Sequence, residues 1–345
     1  MLQHTLRGSA AVALLAVGML SGCGSESPAT APARTTSASE PQLPPGRVAF
    51  RRWLDDAKTH GAIFTVRTDG TGERQLTNPA SGVDDYPDWS PDGHLVAYQH
   101  CPGPRDPCSV WTVDPDGGTP HKIRFHCRLK PICDAASPAW TPDGKLLATL
   151  AQGRERTISG ESQIQQSSIE TIDLRTGKQR TIAKRTGWAG DAIDAQASPD
   201  GRTVIYTPWN SARSKPPFGK SIFAVAGDGS HRHQVIPWDL GGGDHPVFSP
   251  DGLILFRSHE GDESRQSDFW TVRPDGSERK RLTHFKRGTL VTSASYSPDG
   301  AWIVYGSDGD GGADLYVMRA DGTDQRRLTS TKWWDSAPDW EPTGR

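Results

Sequence analysis

The 345-residue sequence predicts an all-β fold, a six-bladed β-propeller with four strands in each blade. Three observations predict it. One tight turn is written six times at near-regular intervals, an apolar run follows each intact copy, and the two ends of the chain supply complementary parts of one further repeat. The 37 Gly and 27 Pro provide many turns, and 12 Trp with 9 Phe allow a large buried area despite only 34% hydrophobic residues. Thirty-nine basic and 41 acidic residues give a net charge of −2, which argues against a nucleic-acid binder.

In chain order, Met1 to Met19 carries Arg7 and then the apolar run Ala10 to Met19, which is too short to span a bilayer. Leu20-Ser21-Gly22-Cys23 resembles a bacterial lipobox, so residues 1–22 read as a lipoprotein signal peptide and Cys23 as the lipid-bearing N-terminus. An ordinary secretory signal with an incidental Cys23 is the plainer reading. Residues 23–46 are rich in Ser, Thr, Ala and Pro and read as a flexible tether. Residues 47–345 hold the propeller. The expected location is exported, lipid-anchored to the outer face of the bacterial cell membrane.

The repeated turn is Ser90-Pro91-Asp92-Gly93, Thr141-Pro142-Asp143-Gly144, Ser198-Pro199-Asp200-Gly201, Ser249-Pro250-Asp251-Gly252, Ser297-Pro298-Asp299-Gly300, and a worn Glu341-Pro342-Thr343-Gly344. Pro presets the first corner, Asp accepts backbone N–H groups and Gly takes the left-handed position. The following runs, such as Leu95-Val96-Ala97-Tyr98 and Trp302-Ile303-Val304-Tyr305, are continuously apolar and so predict burial on both faces. An alternating strand, a second turn such as Asp275-Gly276 and a polar edge strand complete each unit. The first structured segment starts with the second-strand type, Val48-Ala49-Phe50. The last, Ser336 to Trp340, is an inner strand alone. Together they form a blade that closes the ring.

Four cysteines, Cys101, Cys108, Cys127 and Cys133, remain beyond the leader. In an oxidising compartment they predict two disulfides, and of the three pairings Cys101–Cys108 with Cys127–Cys133 is preferred. His100, His121 and His126 leave a zinc reading open, although no Cys-x-x-Cys pair is present.

The units, with Trp89-Ser90-Pro91-Asp92-Gly93 and the Leu-Thr ends Leu282-Thr283 and Leu328-Thr329, resemble the WD-like repeats of the TolB-type β-propeller family. Blade three departs from the pattern with Ala197 at the aromatic position. The resemblance implies an envelope partner protein. TolB-type relatives also include propellers placed before a serine-peptidase domain.

The inter-blade loops share a face with the loops joining second and third strands, and both are longer than the turns opposite. They place aromatics before acids: Trp188 before Asp191 and Asp194, Trp238 before Asp244 and His245, Trp333 and Trp334 before Asp335, with Asp84, Asp85 and Asp134 at the start of blades one and two. The acids are expected to ring the channel mouth. Indoles and carboxylates there would suit a sugar or a basic peptide. The plainer reading has the indoles packing between blades and the acids capping turns. A cation held by several acids is a further reading, without Ca²⁺-loop spacing. Insertions at Ala151 to Ser167, Thr207 to Lys220 and His259 to Ser267 lie on the same face, where Pro208-Trp209 and Pro216-Pro217-Phe218 would cover the channel mouth; a disordered loop is the plainer reading.

No Gly-x-Ser-x-Gly elbow, His-Glu-x-x-His helix or phosphate-binding Gly-rich loop occurs. The expectation is therefore a monomeric, non-catalytic module without cofactor or metal, binding an envelope protein, peptide or glycan, and reaching the membrane through its lipid only. The alternative is a polysaccharide lyase or hydrolase, or a lactonase-like enzyme, at the channel mouth, with His245 as base and Asp244 orienting it.

Overall fold

The computed structural model describes residues 42–345 apart from 105, 159–160, 190–191, 209–219, 239–241, 259–266, 310 and 343–345; side chains in 156–163 and 185–192 are also outside the description. Cys23, the signal segment and most of the predicted tether lie outside it, as do Trp209 and Pro216-Pro217-Phe218. The last residues of the expected tether are docked on the ring: Leu43 packs against a core cluster, and Pro44 and Gly46 carbonyls accept hydrogen bonds from Thr68.

Blade one is built from β4 (Val83–Trp89), β5 (Val96–Cys101), β6 (Ser109–Val113) and β7 (His121–Lys122), counting after the three N-terminal strands β1 (Arg47–Trp53), β2 (Gly61–Arg67) and β3 (Arg74–Gln75). Blade two holds β8 (Ile132–Trp140), β9 (Leu146–Ile158), β10 (Glu161–Ile172) and β11 (Gln179–Ala189). Blade three holds β12 (Ala192–Ala197), β13 (Thr203–Pro208), β14 (Phe223–Ala226) and β15 (His233–Gln234). Blade four holds β16 (Asp244–Phe248), β17 (Ile254–Ser258), β18 (Asp268–Val272) and β19 (Lys280–Arg281). Blade five holds β20 (Val291–Tyr296), β21 (Trp302–Ser307), β22 (Asp314–Arg319) and β23 (Arg326–Arg327). The last strand, β24 (Asp335–Trp340), pairs antiparallel with β1, Val48 opposite Trp340 and Arg52 opposite Asp335, so the shared blade runs β24-β1-β2-β3.

The turn chemistry is as the sequence implies, with one addition. Asp92 Oδ1 accepts from His94 N and Gly93 sits at φ +69°. The hydroxyl of Ser90 donates to Asp92 and accepts Leu95 N, a bracket repeated at Ser198 and, with Thr, at Thr141. The Leu-Thr ends are equally specific. The Thr329 hydroxyl accepts Leu315 N, as Thr283 accepts Phe269 N, which holds each third strand at its start.

Six hydrophobic clusters lie one between each pair of neighbouring blades. Within β1, Val48 and Phe50 face blade five, packing with Trp302, Val304, Leu315 and Val317, while Ala49 faces Trp89, Val96 and Tyr98 of blade one. That two-sided burial is why the second strands read as unbroken apolar runs. Burying an aromatic such as Trp302, fully inaccessible, is worth about 2–3 kcal/mol.

The Ala151 to Ser167 insertion is strand-paired, not an irregular loop. β9 and β10 continue as a paired ribbon through Ile164 opposite Glu155 to Glu161 opposite Ile158. Its alternating Thr, Ser and Gln content favours a two-stranded ribbon over an irregular lid. Two disulfides, Cys101–Cys108 and Cys127–Cys133, brace the loops flanking blade one and the start of β8.

Candidate functional site in the central channel

Every innermost strand carries a register shift at the same place, such as Asp85/Asp88 in β4 and Asp244/Val247 in β16. The residue four before the turn's first position sits in this bulge. In five of the six strands it has positive φ: Tyr86 (51°), Ser137 (47°), Asp194 (54°), His245 (48°) and Ala337 (52°). Left-handed backbone costs a non-glycine residue about 1–2 kcal/mol. Here it turns these side chains toward the channel axis.

Those five, with Ser293, line a channel cavity of about 80 Å³ together with Pro87, Pro138, Pro246 and Pro338. Part of the lining is polar. The Tyr86 and His245 rings stack at 6.2 Å, and His245 Nδ1 lies 3.1 Å from Asp194 Oδ2. Burial lowers the His245 pKa despite the nearby Asp194 and Asp244 charges, so the imidazole is neutral at neutral pH. The rest of the lining is small: Ser137, Ser293, Ala294 and Ala337, interspersed around the ring.

The predicted acids divide around this cavity. Asp194 and His245 reach it. Asp244 stands one residue behind, where Arg257 grips it through Nε at 2.7 Å and Nη2 at 2.6 Å, and Lys220 adds Nζ at 2.5 Å. Burial alone would raise the Asp244 carboxyl, but these cations, chiefly Arg257, hold it well below the usual range. Asp85 pairs with Arg51, and burial nevertheless raises its pKa.

The remaining residues do not form an open ring of carboxylates. Asp84 accepts at 2.7 Å from His100, and Asp134 accepts Cys108 N. Asp335, fully buried, takes Arg52 Nε at 2.7 Å and Nη2 at 2.9 Å. Each carboxylate is consumed by a local donor. The indoles lie apart from the cavity: Trp238 packs on Phe223, while Trp333 and Trp334 stand under Lys332 and Lys58 in a separate hollow with Asp55, Asp56 and Asp308. Asp191 and the Trp188 side chain fall outside the described residues. No cluster of three or more metal-ligating side chains occurs among the described residues.

Sequence reasoning missed Tyr86, Ser137, Ser293 and Ala337, although one signal marks them all: the fixed offset of four residues before each turn. It also missed a belt below them. Asp88 accepts Trp140 N, Asp339 accepts Trp89 N, and Gln196 accepts Phe248 N, each from the next inner strand.

Residues 193–345 match the family described as the TolB beta propeller domain. The fold is a TolB-type propeller. TolB from Acinetobacter baumannii superposes with a TM-score of 0.64 at 20% identity, covering 86% of this chain and 67% of that one. Kuenenia stuttgartiensis hydrazine synthase gives 0.65 at 13% identity over 87% of this chain, which spans 47% of that larger protein. An oligogalacturonate lyase solved with manganese gives 0.52 at 16% identity, over 82% of this chain and 73% of that one. At these identities the TolB-type ring is what the solved structures share with this chain.

Proposed function

We propose that this TolB-type propeller is an exported binding module, tethered through a lipid on Cys23, that takes part of an envelope protein, peptide or glycan partner into its channel and does no chemistry on it. It acts as a monomer and approaches the membrane only through its anchor. The observation that carries the reading is the asymmetry of the cavity. Six inner strands meet there, yet the polar contacts concentrate on Tyr86, Asp194 and His245, among small side chains at Ser137, Ser293 and Ala337. Such an arrangement orients one polar group while leaving space for it.

The test is retention of partner from detergent-solubilised envelopes on immobilised full-length protein. Ser293→Phe fills the cavity from a small-residue position and is expected to abolish retention while leaving the melting temperature close to wild type. Retention that survives the plug removes the channel from the account.

A second reading is favoured by one observation, the His245 imidazole lining the cavity, whose pKa burial lowers, so that it could serve as a general base. Turnover of an acidic oligosaccharide that disappears in His245→Ala would replace the binding reading with this one.

A further inference from the structure

Asp194 is exceptional among the buried carboxylates of the channel. Its side chain is 7% exposed, yet neither Oδ1 nor Oδ2 accepts a hydrogen bond; His245 Nδ1 is close but misaligned. An unsatisfied buried carboxylate is costly, and the usual remedy is a cation on the same element or a neighbouring one. The nearby cations are already committed. Arg257 and Lys220 bind Asp244, with Arg257 also donating to the Val291 carbonyl. Arg51 binds Asp85 and the Ser336 hydroxyl. The backbone at Asp194 is held left-handed, which keeps the carboxylate facing the cavity instead of turning back to the strand.

We infer that Asp194 is a socket for a guanidinium group, supplied by an arginine side chain of the partner that enters the channel. This rests on the channel-binding reading above and specifies its chemistry. Two free oxygens on one carboxylate match the paired N–H groups of a planar guanidinium, whereas an ammonium would satisfy one oxygen well. The stacked Tyr86 and His245 rings form a flat flank against which such a plane packs. Ser137 and Ser293 line the same cavity with hydroxyl acceptors for the outward N–H groups. A cavity of about 80 Å³ admits a side-chain terminus and excludes a folded segment. A metal ion is disfavoured by the donor set, because only Asp194 and His245 converge.

The experiment follows the melting temperature of the full chain while methylguanidinium chloride replaces sodium chloride at constant ionic strength, with methylammonium chloride as the comparison. The expected result is a saturable rise with methylguanidinium, its apparent affinity roughly tenfold or more above that of methylammonium. Asp194→Asn is nearly isosteric and removes a buried charge, so it is expected to fold with a higher melting temperature of its own and to lose the methylguanidinium response. Methylguanidinium should also elute the envelope partner from the wild-type protein. No saturable rise, an equal rise with methylammonium, or an unchanged response in Asp194→Asn overturns the socket. If partner retention is sensitive to Ser293→Phe while methylguanidinium does nothing, only the socket fails. If methylguanidinium binds through Asp194 but no partner is retained, the socket stands and the partner reading fails.

Discussion

Single residues decide how this ring spends its charges. Asp244 and Arg257 face each other with two aligned hydrogen bonds in a buried setting, and Asp335 with Arg52 repeats the device at the seam. Removing one partner of such a pair strands the other. Arg257→Met is therefore expected to cost about 3–5 kcal/mol in denaturant unfolding. The double variant Arg257→Met/Asp244→Leu should recover much of that loss, and a double variant no more stable than the single one would contradict the pairing argument. These cations were not legible in the sequence. Arg51 and Arg257 follow apolar runs and read as ordinary strand ends, because nothing local says that Asp244 lies directly opposite Arg257 on the paired strand or that Asp85 of the neighbouring blade reaches Arg51. The acids were legible as a group but misplaced as an open ring. Burial and partner choice depend on contacts between residues far apart in the chain.

At the scale of elements, the inner strands are joined by the belt of side chains that accept the next strand's backbone N–H. Two of its members, Asp88 and Asp339, are half-buried carboxyls lining the same cavity. Burial pushes the Asp339 pKa up to about 6, and burial together with the Asp339 charge pushes Asp88 well above the carboxylate range. For a carboxyl raised in the folded state, the stabilisation is present in full below the unfolded value near 4 and is lost as pH rises through the folded value. The pair therefore weakens the ring between mildly acidic and alkaline pH. Asp88→Asn keeps an acceptor for Trp140 N and removes one charge. Its melting temperature is expected to exceed wild type at about pH 8, and the gain should shrink at about pH 5. A gain equal at both pH values would rule out the carboxyl pair as its source. The blade turns, by contrast, were readable in full, since Pro, Asp and Gly act within four residues. The bulge was not, because the residues that occupy it (Tyr, Ser, Asp, His, Ala) share a position rather than a chemistry.

The whole molecule is six wedges whose apolar faces meet in six clusters, with the termini sharing one wedge. Ring closure was foreseen because the end segments lacked what the other supplied, and Val48 opposite Trp340 realises it. Trp89, Trp302 and Trp340 are almost fully buried between blades, so these three indoles serve blade packing. What the ring creates is a channel cavity with a polar cluster of Tyr86, Asp194 and His245, and the account stands on a partner occupying it. Alkylation of a thiol introduced by Ser293→Cys, measured in intact envelopes and on the purified protein, tests this most directly, with Arg175→Cys on the exposed turn of the opposite face as reference. The account predicts that envelopes protect position 293 and leave position 175 reactive. Equal alkylation of position 293 in envelopes and in isolation would contradict it.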